Sequence, residues 1–114
     1  MMKACDLANR ECVPCKGDVP PLKGAELTAL YSQLHDDWAV LAEHQLRREF
    51  HFDAYAGAVD FTNLVAQIAK IQNHHPDIHL SYGKVVVEIW THKVGGLTES
   101  DFIFAAKVDA LGNT

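Results

Sequence analysis

The chain has 114 residues, 48% of them hydrophobic and 22% charged, the balance of one small globular domain. Ten basic against 15 acidic residues give a net charge of −5 with no basic block, which argues against a nucleic-acid partner. No apolar run approaches the roughly 20 residues that cross a bilayer, and the first residues lack the apolar stretch of a secretory signal; no membrane partner is expected, and the expected compartment is cytoplasmic.

Residues 1–22 are polar, turn-rich and non-periodic, and read as a flexible or loosely docked arm that leaves residues 23–114 as the domain. Cys5, Cys12 and Cys15 all lie in the arm. A Cys-x-x-Cys pair can ligate zinc or cycle as a redox dithiol. Here no second pair completes the four ligands of a structural zinc site, and no βαβ pattern adjoins it. The arm is expected to have no essential part in the chemistry.

From Gly24 onward, Leu27, Leu30, Tyr31 and Leu34 recur at the spacing of a short amphipathic helix. Trp38 to Ala42 reads as a strand. A second strand follows, with Leu46, Arg48, Phe50 and Phe52 on one face and Gln45, Arg47, Glu49 and His51 on the other. The link between them, near Glu43 and His44, contains no glycine. Asp53 is expected to cap a long helix reaching Asn73, with Phe61, Leu64, Val65, Ile68 and Ile71 buried. Pro76 cannot continue a helix, and it biases His75 toward extended backbone. Ile78, Leu80 and Tyr82 alternate up to a turn near Gly83. Val85, Val87, Ile89 and Thr91 then alternate with Val86, Glu88, Trp90 and His92, until Gly95 and Gly96 break the strand. Thr98 to Asp101 opens the last helix as a capping box, with Phe102, Ile103, Ala106 and Leu111 turned inward.

The order α-β-β-α-β-β-α predicts a two-layer α+β fold, a four-stranded, largely antiparallel sheet with helices packed on one face. A chain this short has a core only just adequate alone, and such a sheet keeps open edges. A homodimer or homotetramer is therefore expected.

Of the seven histidines, His35, His44, His51 and His79 read as ordinary surface or satisfied residues. His74 and His75 differ, because they stand side by side where a helix ends and a strand begins. Antiparallel hairpin geometry returns the end of the next strand, and with it His92, to their neighbourhood. Imidazole gives or takes a proton near neutral pH. Three converging histidines could bind zinc with a position open to water, or act as acid and base without metal. Metal ligands usually lean on carboxylate partners, and nothing in the spacing places Asp77 or Glu88 in that role, which favours acid–base use.

A longer pattern runs through the same residues. Lys70 is followed after three residues by His74, His75 and Pro76; Tyr82, His92 and Asp101 come at fixed intervals beyond. Thr91-His92 and Gly96-Leu97-Thr98 complete the surroundings. In these spacings the chain resembles the pterin-4a-carbinolamine dehydratase family, from about Leu27 to Leu111, including Trp38 and the strand Arg48 to Phe52. The resemblance implies dehydration of 4a-hydroxytetrahydropterin to the quinonoid dihydropterin, with no metal and no organic cofactor. Its substrate is what an aromatic amino acid hydroxylase releases, which implies a functional link to such an enzyme. By position, His74 and His92 would exchange protons with the 4a-hydroxyl and a ring nitrogen, and His75 would help bind the pterin. Asn73, Trp90, Thr91 and Lys93 flank them as candidate pocket residues. Asp101 reads as a helix cap rather than a substrate contact. Lys70 and Lys93 depart from the acidic residues that relatives often carry there. Proteins of this pattern are also linked to molybdopterin cofactor metabolism. An animal member stabilises dimers of a transcription factor, although no residues of that interface are matched here.

Overall fold

The computed structural model describes residues 7–12 and 20–111; Cys5 and Cys15, and so the Cys-x-x-Cys pair, lie outside the described residues. Between residues 20 and 111 the elements are α1 (Gly24–Tyr31), β1 (Ala39–Leu41), β2 (Gln45–His51), α2 (Tyr55–Gln72), β3 (Asp77–Ser81), β4 (Lys84–Ile89) and α3 (Glu99–Asp109). This is the predicted order. The strands form one sheet in the order β1-β2-β4-β3, every neighbouring pair antiparallel.

Register explains the two faces. Leu46 pairs with Ile89, Arg48 with Val87 and Phe50 with Val85. These side chains share the face that meets the helices, and all are buried. Against them pack Leu27 of α1, Phe61 and Val65 of α2, and Phe102, Ala105 and Ala106 of α3. The Phe50 and Phe61 rings lie 4.5 Å apart between centroids and seal the sheet to α2. On the opposite face, Arg47 pairs with Glu49 and Glu88, and Glu88 with His79. Alternation of period two puts the apolar set on one side and the ion pairs on the other.

The central helix departs from expectation at its start and along one flank. Its N-cap is Ala54 and not Asp53, and no side chain caps it. Ala58, Phe61, Val65 and Ala69 are its buried residues, with Ile68 partly covered. Leu64 and Ile71, expected inside, are 49% and 67% exposed. The sheet touches the narrow stripe set by 58, 61, 65 and 69, where two alanines let the backbones approach. Leu64 and Ile71 point off that stripe.

Two turns are unusual. Ala42 and Glu43 close the β1–β2 hairpin with positive φ, 55° and 53°, where glycine would be the default. The Glu43 carboxylate accepts a bond from the Gly24 N–H at 3.2 Å, which ties this hairpin to the start of α1. In the β3–β4 turn, a Cβ on Gly83 would lie 2.9 Å from the Phe52 carbonyl, so the position has no room for a side chain. The arm residues that are described are docked: Leu7 is fully buried in the core, and Ala8 and Cys12 pack against it.

Candidate active site

β4 ends at Ile89, before the expected Thr91 and His92. Trp90 leaves the ladder, Thr91 keeps only an isolated bridge to Gly96, and His92–Val94 form one turn of 3-10 helix. Gly95, at φ 66°, terminates that turn in the left-handed region. The break has a local cause. The Thr91 side chain is drawn to α3, where its hydroxyl donates to Asp101 Oδ2 at 2.8 Å.

On the facing side, α2 ends with Asn73 in the left-handed conformation, φ 53°. The N–H groups of Asn73 and His74 both return to the Ala69 carbonyl. This Schellman-like closure turns the chain sharply and aims His74 at α3. His74 Nε2 lies 2.6 Å from Asp101 Oδ1, and the ring meets Phe104 edge-on at 6.1 Å.

Asp101 is therefore the junction. It has no exposed surface, and it accepts bonds from His74, from the Thr91 hydroxyl and from the Thr98 N–H at 2.8 Å. The last of these is half of the capping box that opens α3. An ionised carboxylate is acceptor-only, so His74 carries its proton on Nε2 toward Asp101, and among the described residues no hydrogen bond engages its Nδ1. Since Thr91 gives its single hydroxyl proton to Asp101, Thr98 Oγ1 donates across the 2.9 Å contact to Thr91 Oγ1.

A second group of rings lies beside this one. Trp90 stacks on His92 at 4.4 Å and 20°, and His44, from the strained hairpin, tilts against Trp90 at 5.3 Å. His44 Nδ1 is 3.0 Å from Gln45 Oε1. His75, His92, Asn73 and Lys93 are exposed, Trp90 is half-buried and Thr91 is buried. So the structure ties His74 and Thr91 to one carboxylate, and His92 follows Thr91 directly at the same end of the sheet. Among the described residues, no three His, Cys, Asp or Glu side chains come together in a metal-holding group.

Two contacts around these residues lie beyond what local sequence shows. Asp101 was legible as a cap, but its partner histidine, 27 positions away, was not. His44 was grouped with the ordinary histidines. Its only sequence signal was a place in a hairpin link without glycine.

Known proteins resemble this chain over most of its length. The family model described as pterin 4 alpha carbinolamine dehydratase matches residues 20–111. A protein of Rubrobacter xylanophilus named "Putative pterin-4-alpha-carbinolamine dehydratase" is 57% identical over 106 residues, covering 93% of this chain and 98% of that one. One of the same name from Alkaliphilus metalliredigens is 48% identical over 104 residues, covering 91% and 94%. Among solved structures, a transcriptional coactivator/pterin dehydratase from Brucella melitensis superposes with a TM-score of 0.74 at 29% identity, over 80% of this chain and 97% of that one. A pterin dehydratase-like protein described as a RuBisCO assembly factor in the alpha-carboxysome superposes with a TM-score of 0.60 at 26% identity, over 70% and 95%.

Proposed function

The chain belongs to the pterin 4 alpha carbinolamine dehydratase family, and on that premise we propose that it dehydrates 4a-hydroxytetrahydropterin to the quinonoid dihydropterin by histidine acid–base catalysis. The single observation that carries this reading is the 2.6 Å bond from His74 to the buried Asp101. A carboxylate that fixes one ring nitrogen as a donor sets the tautomer and the orientation of the other, which is what a proton-transferring imidazole needs. Neutral, His74 offers the Nδ1 lone pair; protonated, it offers Nδ1–H.

The reaction asks for two proton transfers. The C4a–oxygen bond breaks as the departing hydroxyl takes a proton and leaves as water. A ring N–H gives up its proton, and its electron pair forms the new C=N bond. His74 and His92 are the groups assigned to these ends, with His92 backed by the Trp90 indole. His75 binds and orients the pterin. Asn73, Trp90 and Lys93 line its approach, while Thr91 acts through Asp101, to which its hydroxyl is committed. Neither step requires a Lewis acid.

In this reading the enzyme acts in the cytoplasm and recycles the tetrahydropterin of an aromatic amino acid hydroxylase. It works as a homodimer or homotetramer, because among the described residues β1 and β3 leave both sheet edges unpaired. Among the described residues no helix is long and apolar enough to cross a membrane. The test is stopped-flow dehydration of 4a-hydroxytetrahydropterin with the purified protein, repeated in a strong chelator. Acceleration in both is expected. No acceleration at all would favour a non-catalytic binding module or a role in molybdopterin cofactor metabolism; loss only in chelator would replace the metal-free mechanism.

A further inference from the structure

Residues 7–12 lie across the two helix ends that present the His74–Asp101 pair. Toward α2, the Cys12 N–H donates to Gln72 Oε1 at 2.8 Å, and Gln72 Nε2 donates to Glu11 Oε1 at 2.9 Å. One amide side chain thus holds the arm with two bonds of opposite sense. Toward α3, Arg10 pairs with Glu99, the Cys12 thiol sits 3.5 Å from the Ser100 carbonyl, and Lys107 Nζ donates to the Ala8 carbonyl at 2.7 Å. Leu7 anchors the segment with its fully buried side chain. Gln72 is the last residue of α2, two before His74; Glu99 and Ser100 immediately precede Asp101.

We infer that residues 7–12 form a positioning clamp for the His74–Asp101 pair, with Gln72 the positioning residue through which the clamp acts on His74. Helix ends fray, and His74 stands just beyond the left-handed Asn73, where the chain has left the helix's own hydrogen-bond ladder. The clamp fastens that end of α2 to the start of α3, so the distance between imidazole and carboxylate no longer depends on one bond. A displacement of about 1 Å at such a pair can cost on the order of 10²-fold in rate. The kinetic part of this inference rests on the dehydratase reading, while its spectroscopic part does not.

The test uses the full chain. Gln72→Ala should lower kcat by about tenfold with KM changed less than about twofold, and it should broaden or shift upfield the imidazole Nε2–H resonance of His74. Gln72→Glu alone should behave similarly, because it sets two carboxylates against each other. The pair Gln72→Glu with Glu11→Gln reverses the polarity of the side-chain bond and keeps an acceptor for the Cys12 N–H. It should bring kcat back to within about threefold of wild type and restore the resonance. A Gln72→Ala protein with unchanged kcat and resonance would overturn the clamp, and so would a loss that the paired substitution fails to restore. Wild-type protein without dehydratase activity would remove the dehydratase reading, and the resonance would still decide the clamp.

Discussion

His74 Nε2 and Asp101 Oδ1 are 2.6 Å apart, and this bond joins the end of one helix to the start of another across 27 residues of sequence. It gives a helix cap a second task. Asp101→Asn keeps the size of the side chain but can offer an N–H where His74 also offers one. With the amide nitrogen toward His74 the ring must flip its tautomer or lose the bond; with it turned away, it meets the Thr98 N–H and breaks the cap. The expected result is a fall in dehydration rate of about 10²-fold or more, measured by stopped flow on protein shown to be folded by circular dichroism. A rate within about twofold of wild type would separate Asp101 from the chemistry.

His74→Ala and His92→Ala should each lower the rate by roughly 10²–10⁴-fold, the usual worth of a general acid or base. His79→Ala should do little, because His79 is exposed on the far face of the sheet, 3.5 Å from Glu88. His75→Ala should raise KM more than it lowers kcat. Equal small effects at all four positions would refute these assignments.

Much of the fold was legible because β2 and β4 alternate cleanly: Leu46, Arg48 and Phe50 on one strand answer Val85, Val87 and Ile89 on the other. The site was only half legible. His74 and His75 stood out as a pair at a boundary, yet nothing local in the sequence says that a capping aspartate has a lone pair to spare. The apolar pattern of α2 overstated its buried face, since Leu64 and Ile71 are apolar but lie off the stripe that meets the sheet. Alternation also carried β4 three residues too far, to His92 instead of Ile89. Period two continues through Thr91, but the Thr91 hydroxyl has left the sheet for Asp101.

Cys12 reports on the docked arm. Burial pushes its thiol from 9.0 up to about 11, against the opposing pull of Lys107. The folded chain thus keeps this proton to higher pH than the unfolded chain does. The stabilisation from this group is present below about pH 9 and is lost as pH rises through about 11. In a Cys5→Ser, Cys15→Ser background, iodoacetamide at pH 8 should alkylate native Cys12 about a hundredfold more slowly than the urea-unfolded chain, because burial keeps the thiol protonated. Equal rates by mass spectrometry would mean that residues 7–12 are not docked in solution.

Arg48 holds the other end of α3. It is buried, its Nη1 lies 2.7 Å from Asp109 Oδ1, and its guanidinium sits 4.3 Å over the Phe50 ring. Burial raises the Asp109 carboxyl, while the Trp38 and His35 N–H groups and Arg48 pull it back. Arg48→Met removes one of these counterweights and leaves a buried carboxylate, at a cost of about 3–5 kcal/mol near pH 7. With the folded carboxyl raised further, the penalty falls on the ionised form. The deficit should grow as pH rises above the ordinary carboxylate range and shrink below it. Urea melts at pH 7 and pH 5 check this; a deficit independent of pH would show that Asp109 is not its source.

The Trp90 indole is the floor on which His92 rests, 4.4 Å away and nearly parallel, and it is itself tilted against His44 at 5.3 Å. His92 is exposed and opens a single 3-10 turn, so its backbone restrains the ring weakly. Stacking on a half-buried indole supplies the missing restraint, worth roughly 0.5–1.5 kcal/mol for an aromatic pair. Trp90→Ala removes the floor and should lower kcat by about tenfold, in line with that energy. Trp90→Phe keeps a smaller one and should recover most of the rate. His44→Ala acts only from behind the indole and should fall between wild type and Trp90→Ala. If Trp90→Phe is as slow as Trp90→Ala while KM rises in both, then the indole acts only as a wall of the pterin's approach and does not serve His92.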